Sequence, residues 1–370
     1  TGQLGLGDDA DHALPQRFES VRHALSSTVV TGGCHSGGLD EHGQLYVWGD
    51  NAHEWVHLRC PSGITIMTVI MRCVSKVVAV ACGWTHTMAV VATYTGEHAV
   101  HAWGNNLYFQ TGRSTDNDNN SSKREVIDRG LPHALNVASI ACGWKHSLLA
   151  TMDGQAFAWG SGRQGELGLG EGITKAPEPR LITGIDRVGV VHCGWQHTVL
   201  QTQDNTVYTC GSNRHGQLGL GARATSDIKA VSTPTQVFVA AEQALVTPML
   251  GVGWHFVLGL DSSGVLYTWG KGSHGQLGQG KGESLHRPSA VKAMADITIT
   301  HLACGSEHSM VVTNSGELFT CGWGEHGNLG HGDTANQMQF TRVEFFHEQG
   351  LHVLSAIAGG AVSMALVRRR

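Results

Sequence analysis

The sequence predicts an all-β chain folded as a seven-bladed β-propeller of four-stranded antiparallel blades. Two alternating motifs and an excess of glycine carry that prediction. The first motif is a strand ending in Trp-Gly or Cys-Gly. It is written six times, closing at Gly49, Gly104, Gly160, Gly211, Gly270 and Gly322, with separations of 55, 56, 51, 59 and 52 residues. A fixed period of about 50 residues means one supersecondary unit copied around an array. The second motif is a short apolar run leading into glycine, and its aligned glycines number seven: Gly33, Gly83, Gly143, Gly194, Gly253, Gly305 and Gly360. The chain holds 50 glycines with no collagen-like period, so they belong to turns.

Each copy reads as an antiparallel meander. An apolar run such as 140–142 ends at Gly143, which fits a tight turn where φ can be positive. An alternating run follows, as in His146–Thr151, and reads as a strand. Hairpin signals come next at Asp153-Gly154, Asp204-Asn205, Ser263-Gly264 and Ser315-Gly316. A third strand such as 155–159 closes at Gly160, and a Gly-rich loop leads to a shorter edge segment. Four strands repeated radially make a propeller. Helical periodicity is absent beyond a turn near 284–295.

Counting the two motifs separately gives seven hairpins but six Trp/Cys-Gly strands. The opening residues Gln3, Leu4 and Gly5 match the loop pattern at Gln217, Leu218 and Gly219. The expectation is that the closing strand is missing at the N-terminus and would pair with 361–367, because an open sheet edge invites aggregation. Residues 1–370 are then one propeller domain with irregular loops at 50–63, 113–130 and 222–240. The second of these is polar and reads as a surface loop.

Composition narrows the function. Net charge is −5, with 15% charged residues and no basic stripe, so nucleic acid is a poor partner. The one dense basic run, Arg368 to Arg370, reads as a solvated tail. The nine cysteines form no C-x-x-C pair, which points to a reducing compartment. No apolar run is long enough for a membrane helix and no signal-peptide pattern opens the chain. The expected location is cytoplasmic, with the nucleus as a second place, and the expected state is monomeric.

Three tempting chemical motifs dissolve into the repeat. The pattern G-x-G-x-x-G occurs at Gly160, Gly270 and Gly322, after a strand each time, but none of the copies opens a helix, so no nucleotide site follows. Cys82/His86, Cys142/His146, Cys193/His197 and Cys304/His308 share one spacing, yet a repeat position puts them in four different blades. Zinc ligands need to converge, so the histidines are expected to hydrogen-bond backbone at the turn. No Ser-His-Asp, paired-carboxylate or Cys-His nucleophile stands out. The sequence therefore predicts a binding protein and no enzyme, with no catalytic, cofactor or metal residues.

Trp84, Trp144, Trp195 and Trp254 occupy equivalent positions after the turn glycine. They either pack between blades near one face or form a ring of aromatic anchors on a binding face, where Trp dominates interface energetics. Trp323, Glu325 and His326 depart from the usual loop pattern and are expected on an exposed loop of the partner face.

The combined pattern, running from ACGxxHTxAV through xVYxWG to GQLGxG, resembles the regulator of chromosome condensation repeat over essentially the whole chain. The last-blade run from Cys304 to His308, followed by Cys321 to Asn328, looks like the alpha-tubulin suppressor proteins and the secretion-regulating guanine nucleotide exchange factor. That resemblance implies a seven-bladed propeller and an adaptor or regulator. One version supports wobble-uridine tRNA or diphthamide modification with a small partner protein. The alternative is an exchange factor or regulator of a small GTPase. Chromatin-binding relatives use a basic tail that this chain lacks. Photoreceptor relatives carry Arg after the Trp, where this chain has Thr85, Lys145, Gln196 and His255.

Overall fold

The computed structural model describes residues 2–6, 8, 10–17, 25–50, 64–71, 76–114, 125–221, 228–240 and 243–370. These form six four-stranded antiparallel sheets, each with its strands in chain order, and one two-stranded sheet. The four-stranded blades span 25–71, 77–126, 137–181, 188–236, 249–290 and 299–342. The two-stranded unit pairs Leu351–Gly359 with Val362–Arg369.

This corrects the expectation of seven four-stranded blades. The physical reason lies in the motif count, since the Trp/Cys-Gly strand that supplies a third partner is written only six times. Of the loops expected at 50–63, 113–130 and 222–240, residues 51–63, 115–124 and 222–227 lie outside the described residues. Within the last of these, Ala230–Gln236 is the outer strand of blade 4.

The hairpins follow the predicted turn chemistry. Gly154, Gly264 and Gly316 have φ of 91°, 86° and 75°, and Asn205 takes φ 65° in the same role. At the end of each third strand the glycine also has positive φ, between 100° and 112°. A Cβ on Gly160 would lie 2.4 Å from the Lys145 carbonyl oxygen, so only glycine lets the loop turn there.

Among the turn glycines of the second motif, Gly360 takes the expected positive φ, at 53°, while others work differently. Gly83 and Gly143 do not have positive φ. They are required by close approach: a Cβ on Gly83 would sit 2.7 Å from the Gly143 carbonyl of the next blade and 2.6 Å from the His86 ring. Neighbouring turns join through backbone bonds, Gly33 N to Gly83 O at 3.0 Å and Trp84 N to Gly143 O at 3.1 Å.

Two recurrent hydrogen-bond patterns clasp most blades to a neighbour. Trp48, Trp103, Trp159 and Trp269 are at most 1% exposed, and their large apolar rings form the inter-sheet core. Trp48, Trp159 and Trp269 donate Nε1–H to the carbonyls of Gln3, Gln110 and Gln217 at 2.8, 3.0 and 3.0 Å. Each acceptor belongs to the Gly-rich loop beside the preceding blade, or to the N-terminal residues in the case of Gln3.

The second pattern uses the repeat histidines. His35, His86, His146 and His308 place Nε2 at 2.7, 2.8, 3.2 and 2.9 Å from the hydroxyls of Thr87, Ser147, Thr198 and Ser363 in the following sheet. Ser147 and Thr198 donate in turn to the carbonyls of Gln110 and Glu166. The imidazole Nε2–H therefore donates to the hydroxyl oxygen, an assignment that follows from the network. The expected backbone partner is thus replaced by a side-chain hydroxyl across the blade interface. Burial pushes the His86 pKa down to about 3 and that of His146 to about 4, so both are neutral.

The relay breaks at blade 5. Val257 stands where the others have Ser or Thr, leaving the buried His197 without a hydroxyl partner. Phe256 replaces the next histidine.

Candidate functional site

The turns that follow the innermost strands converge at one end of the central channel, and this brings together Trp84, Trp144, Trp195 and Trp254. Trp195 is the hub. Its ring centroid lies 4.4 Å from Trp144, nearly parallel at 18°, and 4.3 Å from Trp254 and 5.2 Å from Trp84. Trp84 and Trp254 also meet edge-on at 5.1 Å. Four indoles fit because the equivalent residues in the remaining turns are small, namely Cys34, Ser306 and Ala361. Trp84 lies over Gly33, where any Cβ would collide with the indole at 2.0 Å.

These rings cap a channel cavity of about 130 Å³ whose wall includes Cys82, Cys142, Cys193 and Cys304. All four tryptophans are half-buried, so one side of the cluster packs and the other meets solvent. Both roles open at the sequence level, packing between blades and an aromatic surface, are thus physically available to the same four side chains.

Next to the cluster, the residue after each Trp supplies polar chemistry. Lys145 Nζ sits 3.6 Å from the Trp144 ring centroid and 3.8 Å from that of Tyr108, a double cation–π contact. On the other side His255 lies 6.3 Å from Trp195 and 5.3 Å edge-on from His215. Its Nδ1 is 3.7 Å from Glu307 Oε1, which also accepts from Lys271 Nζ at 2.7 Å. Gln276 Nε2 donates to the other carboxylate oxygen. Burial of Glu307 pushes its pKa up, but His255 and Lys271 outweigh that and hold the carboxyl below the usual glutamate value. The result is an ionised carboxylate, 8% exposed, bridging blades 5 and 6 on the tryptophan face.

Trp323, Glu325 and His326 form a second cluster on the blade 6 loop. Trp323 Nε1 donates to Glu325 Oε2 at 3.1 Å, and the Trp323 and His326 rings meet edge-on at 4.9 Å. His326 Nδ1 contacts Asp11 Oδ2 at 2.8 Å, tying this loop to the N-terminal residues. Among the described residues no ring contact links Trp323 to the four-tryptophan cluster; its other aromatic neighbour is His274 at 6.4 Å. Among the described residues no group of three His, Cys, Asp or Glu side chains is placed to hold a metal ion.

Three features escaped the sequence reading. The Glu307–Lys271–His255 network joins residues 16 to 52 positions apart and has no motif. Glu166 takes the place of a loop glutamine, as comparison with Gln110, Gln217 and Gln276 reveals. It is 3% exposed, and burial raises its pKa to about 7. Phe109 occupies the slot of Gly165, Gly216, Gly275 and Gly327 and holds φ at 66°. Aligning the 105–112 loop with its Gly-rich counterparts exposes that exception directly.

Comparison with known proteins came to the same repeat. The family described as RCC1-like domain matches residues 1–365. The ultraviolet-B receptor UVR8 of Arabidopsis thaliana is 29% identical over 339 residues, 91% of this chain and 74% of that protein. The human E3 ubiquitin-protein ligase HERC2 is 28% identical over 94% of this chain, which spans only 7% of that protein. Among solved structures, Prp20p of Saccharomyces cerevisiae, studied for its binding to Gsp1p and histones, superposes with a TM-score of 0.78 at 23% identity. That match covers 93% of this chain and 82% of Prp20p. Human WBSCR16 gives a TM-score of 0.80 at 22% identity over 96% and 89% of the two chains. At these identities the structural likenesses speak for the fold alone.

Proposed function

Because the chain belongs to the RCC1-like domain family, we propose that it is a regulatory propeller that binds a protein partner on the tryptophan face. The observation that carries this reading is the half-exposed cluster of Trp84, Trp144, Trp195 and Trp254 flanked by Lys145 and the Glu307 network. Large aromatic side chains are the anchors of interface centres, and polar residues beside them suit the rim. Surface binding is what these side chains do best. The blade 6 loop with Trp323, Glu325 and His326 adds a separate contact on the same reading.

The finer activity we favour is regulation of a small GTPase, since the fold is shared with Prp20p, a protein studied for its binding to Gsp1p. The adaptor reading, with a small partner in wobble-uridine tRNA or diphthamide modification, rests on sequence resemblance alone. Release of labelled GDP from a panel of small GTPases separates the two. Acceleration that disappears in the Trp84→Ala/Trp254→Ala variant is the result expected. Release unaltered throughout the panel, with stoichiometric capture of a small Cys-rich protein, would favour the adaptor.

A further inference from the structure

The loop at 105–109 breaks its own repeat. In blades 3 to 6 the equivalent position is Gly165, Gly216, Gly275 or Gly327, and each takes a positive φ. Here the sequence runs Asn105, Asn106, Leu107, Tyr108, Phe109, and the aromatic Phe109 is held at φ 66°. A bulky residue in a left-handed conformation is uncommon and disfavoured, and such strain gathers at functional positions. Leu107 beside it is 55% exposed, while Tyr108 and Phe109 are half-exposed. The loop therefore presents three large side chains to solvent, one of them, Phe109, at a position where glycine would serve the fold better.

Cations surround it. Lys145 lies over the Tyr108 ring at 3.8 Å and continues the patch onto Trp144. Lys175 Nζ is 5.5 Å from the Phe109 ring centroid. Arg163 is exposed, and its charge is felt by the Tyr108 hydroxyl. Among the described residues Lys145, Arg163 and Lys175 form no salt bridge, although the Arg163 charge reaches the buried Glu166 carboxyl, whereas Arg129, Lys271 and Arg342 are paired with Glu178, Glu307 and Glu317. In a chain of net charge −5, this is a local excess of positive charge set around an apolar surface.

We propose that Leu107, Tyr108 and Phe109, with Lys145, Arg163 and Lys175, form a docking surface for an acidic segment of a partner protein that carries an apolar side chain between its carboxylates. The apolar side chain covers the exposed loop, and the carboxylates meet the three cations. The proposal rests on the protein-binding reading above and names the chemistry of the partner.

Fluorescence anisotropy with a short labelled peptide of alternating glutamate and leucine around a central phenylalanine tests it on the full chain. The peptide is expected to bind, and to bind more weakly as salt is raised, because exposed charges are screened. Lys145→Glu with Arg163→Glu should weaken binding at least tenfold. Phe109→Gly should weaken it several-fold without lowering the melting temperature, so the loss cannot be laid to unfolding. Equal affinity for the peptide with lysine in place of glutamate would overturn the proposal. So would tighter binding of a single-stranded oligonucleotide, which would make this a phosphate site. Absence of peptide binding, with partner binding still sensitive to Trp84→Ala/Trp254→Ala, would overturn this inference and leave the broader reading standing.

Discussion

Trp195 stacks on Trp144 with ring centroids 4.4 Å apart and planes inclined by only 18°, although the two side chains come from different blades. Trp195 also touches Trp84 and Trp254. Each such pair contributes about 0.5–1.5 kcal/mol beyond area burial. Trp195→Leu is therefore expected to lower stability by about 1–3 kcal/mol. It should also remove the coupled indole signal from near-ultraviolet circular dichroism. Trp323→Leu, outside the cluster, should leave that signal in place. If both substitutions changed the spectrum equally, the hub assignment would fail.

The Glu166 carboxyl makes stability depend on pH. Its folded pKa is raised by burial to about 7, above the ordinary 4.5. A raised pKa means that stability is full below pH 4.5 and is lost as pH climbs through 7. Glu166→Gln keeps the acceptor for the Gln164 amide, which Glu166 Oε2 now meets at 2.6 Å. The variant should unfold with the wild type's free energy near pH 4 and exceed it by about 1–3 kcal/mol at pH 8. Denaturant titrations at the two pH values check this; an equal difference at both would mean the carboxyl does not titrate with folding.

Phe109 offers a reversal of the usual glycine penalty. At an ordinary position alanine is more stable than glycine by about 0.5–1 kcal/mol. With φ at 66°, alanine keeps the strain and glycine releases it. Phe109→Gly should therefore be more stable than Phe109→Ala by about 1 kcal/mol. Thermal melts of the two variants decide the order, and the conventional one would show that the backbone relaxes once the ring is gone.

The broken relay at blade 5 can be repaired. Val257→Thr is close in shape and places a hydroxyl opposite His197 Nε2, which has no hydroxyl partner now. The same hydroxyl can donate to the Gln217 carbonyl, as Ser147 does to that of Gln110. A satisfied buried histidine contributes about 0.5–1.5 kcal/mol, so the variant should gain about that much. A loss of stability would mean the hydroxyl is buried without reaching either group.

The repeat was readable because each blade must restate the same backbone demands. Gly160 and its five counterparts mark a turn no other residue can make, so the third strands were placed correctly from spacing alone. Trp84, Trp144, Trp195 and Trp254 share a repeat position, which is enough to expect them near one propeller face. Their ring contacts were not readable, because those depend on the small residues at Cys34, Ser306 and Ala361 that make room. The blade count failed where two motifs disagreed: seven turn glycines suggested seven full sheets, but only six strands carry Trp or Cys before glycine. The histidine relay was missed because donor and acceptor stand in neighbouring blades, as with His86 and Ser147, 61 residues apart. The Glu307 network was missed for the same reason.

The central claim is that the tryptophan face receives a protein partner. A photoreactive side chain placed at Gln196, beside Trp195, and another at Met152, on the hairpin at the far end of the neighbouring blade, tests this in cell extract. The account predicts a discrete crosslinked partner from Gln196, none from Met152, and loss of the product when Trp84 and Trp254 are replaced by alanine. Equal crosslinking from Met152, or a Gln196 product indifferent to those replacements, would contradict it.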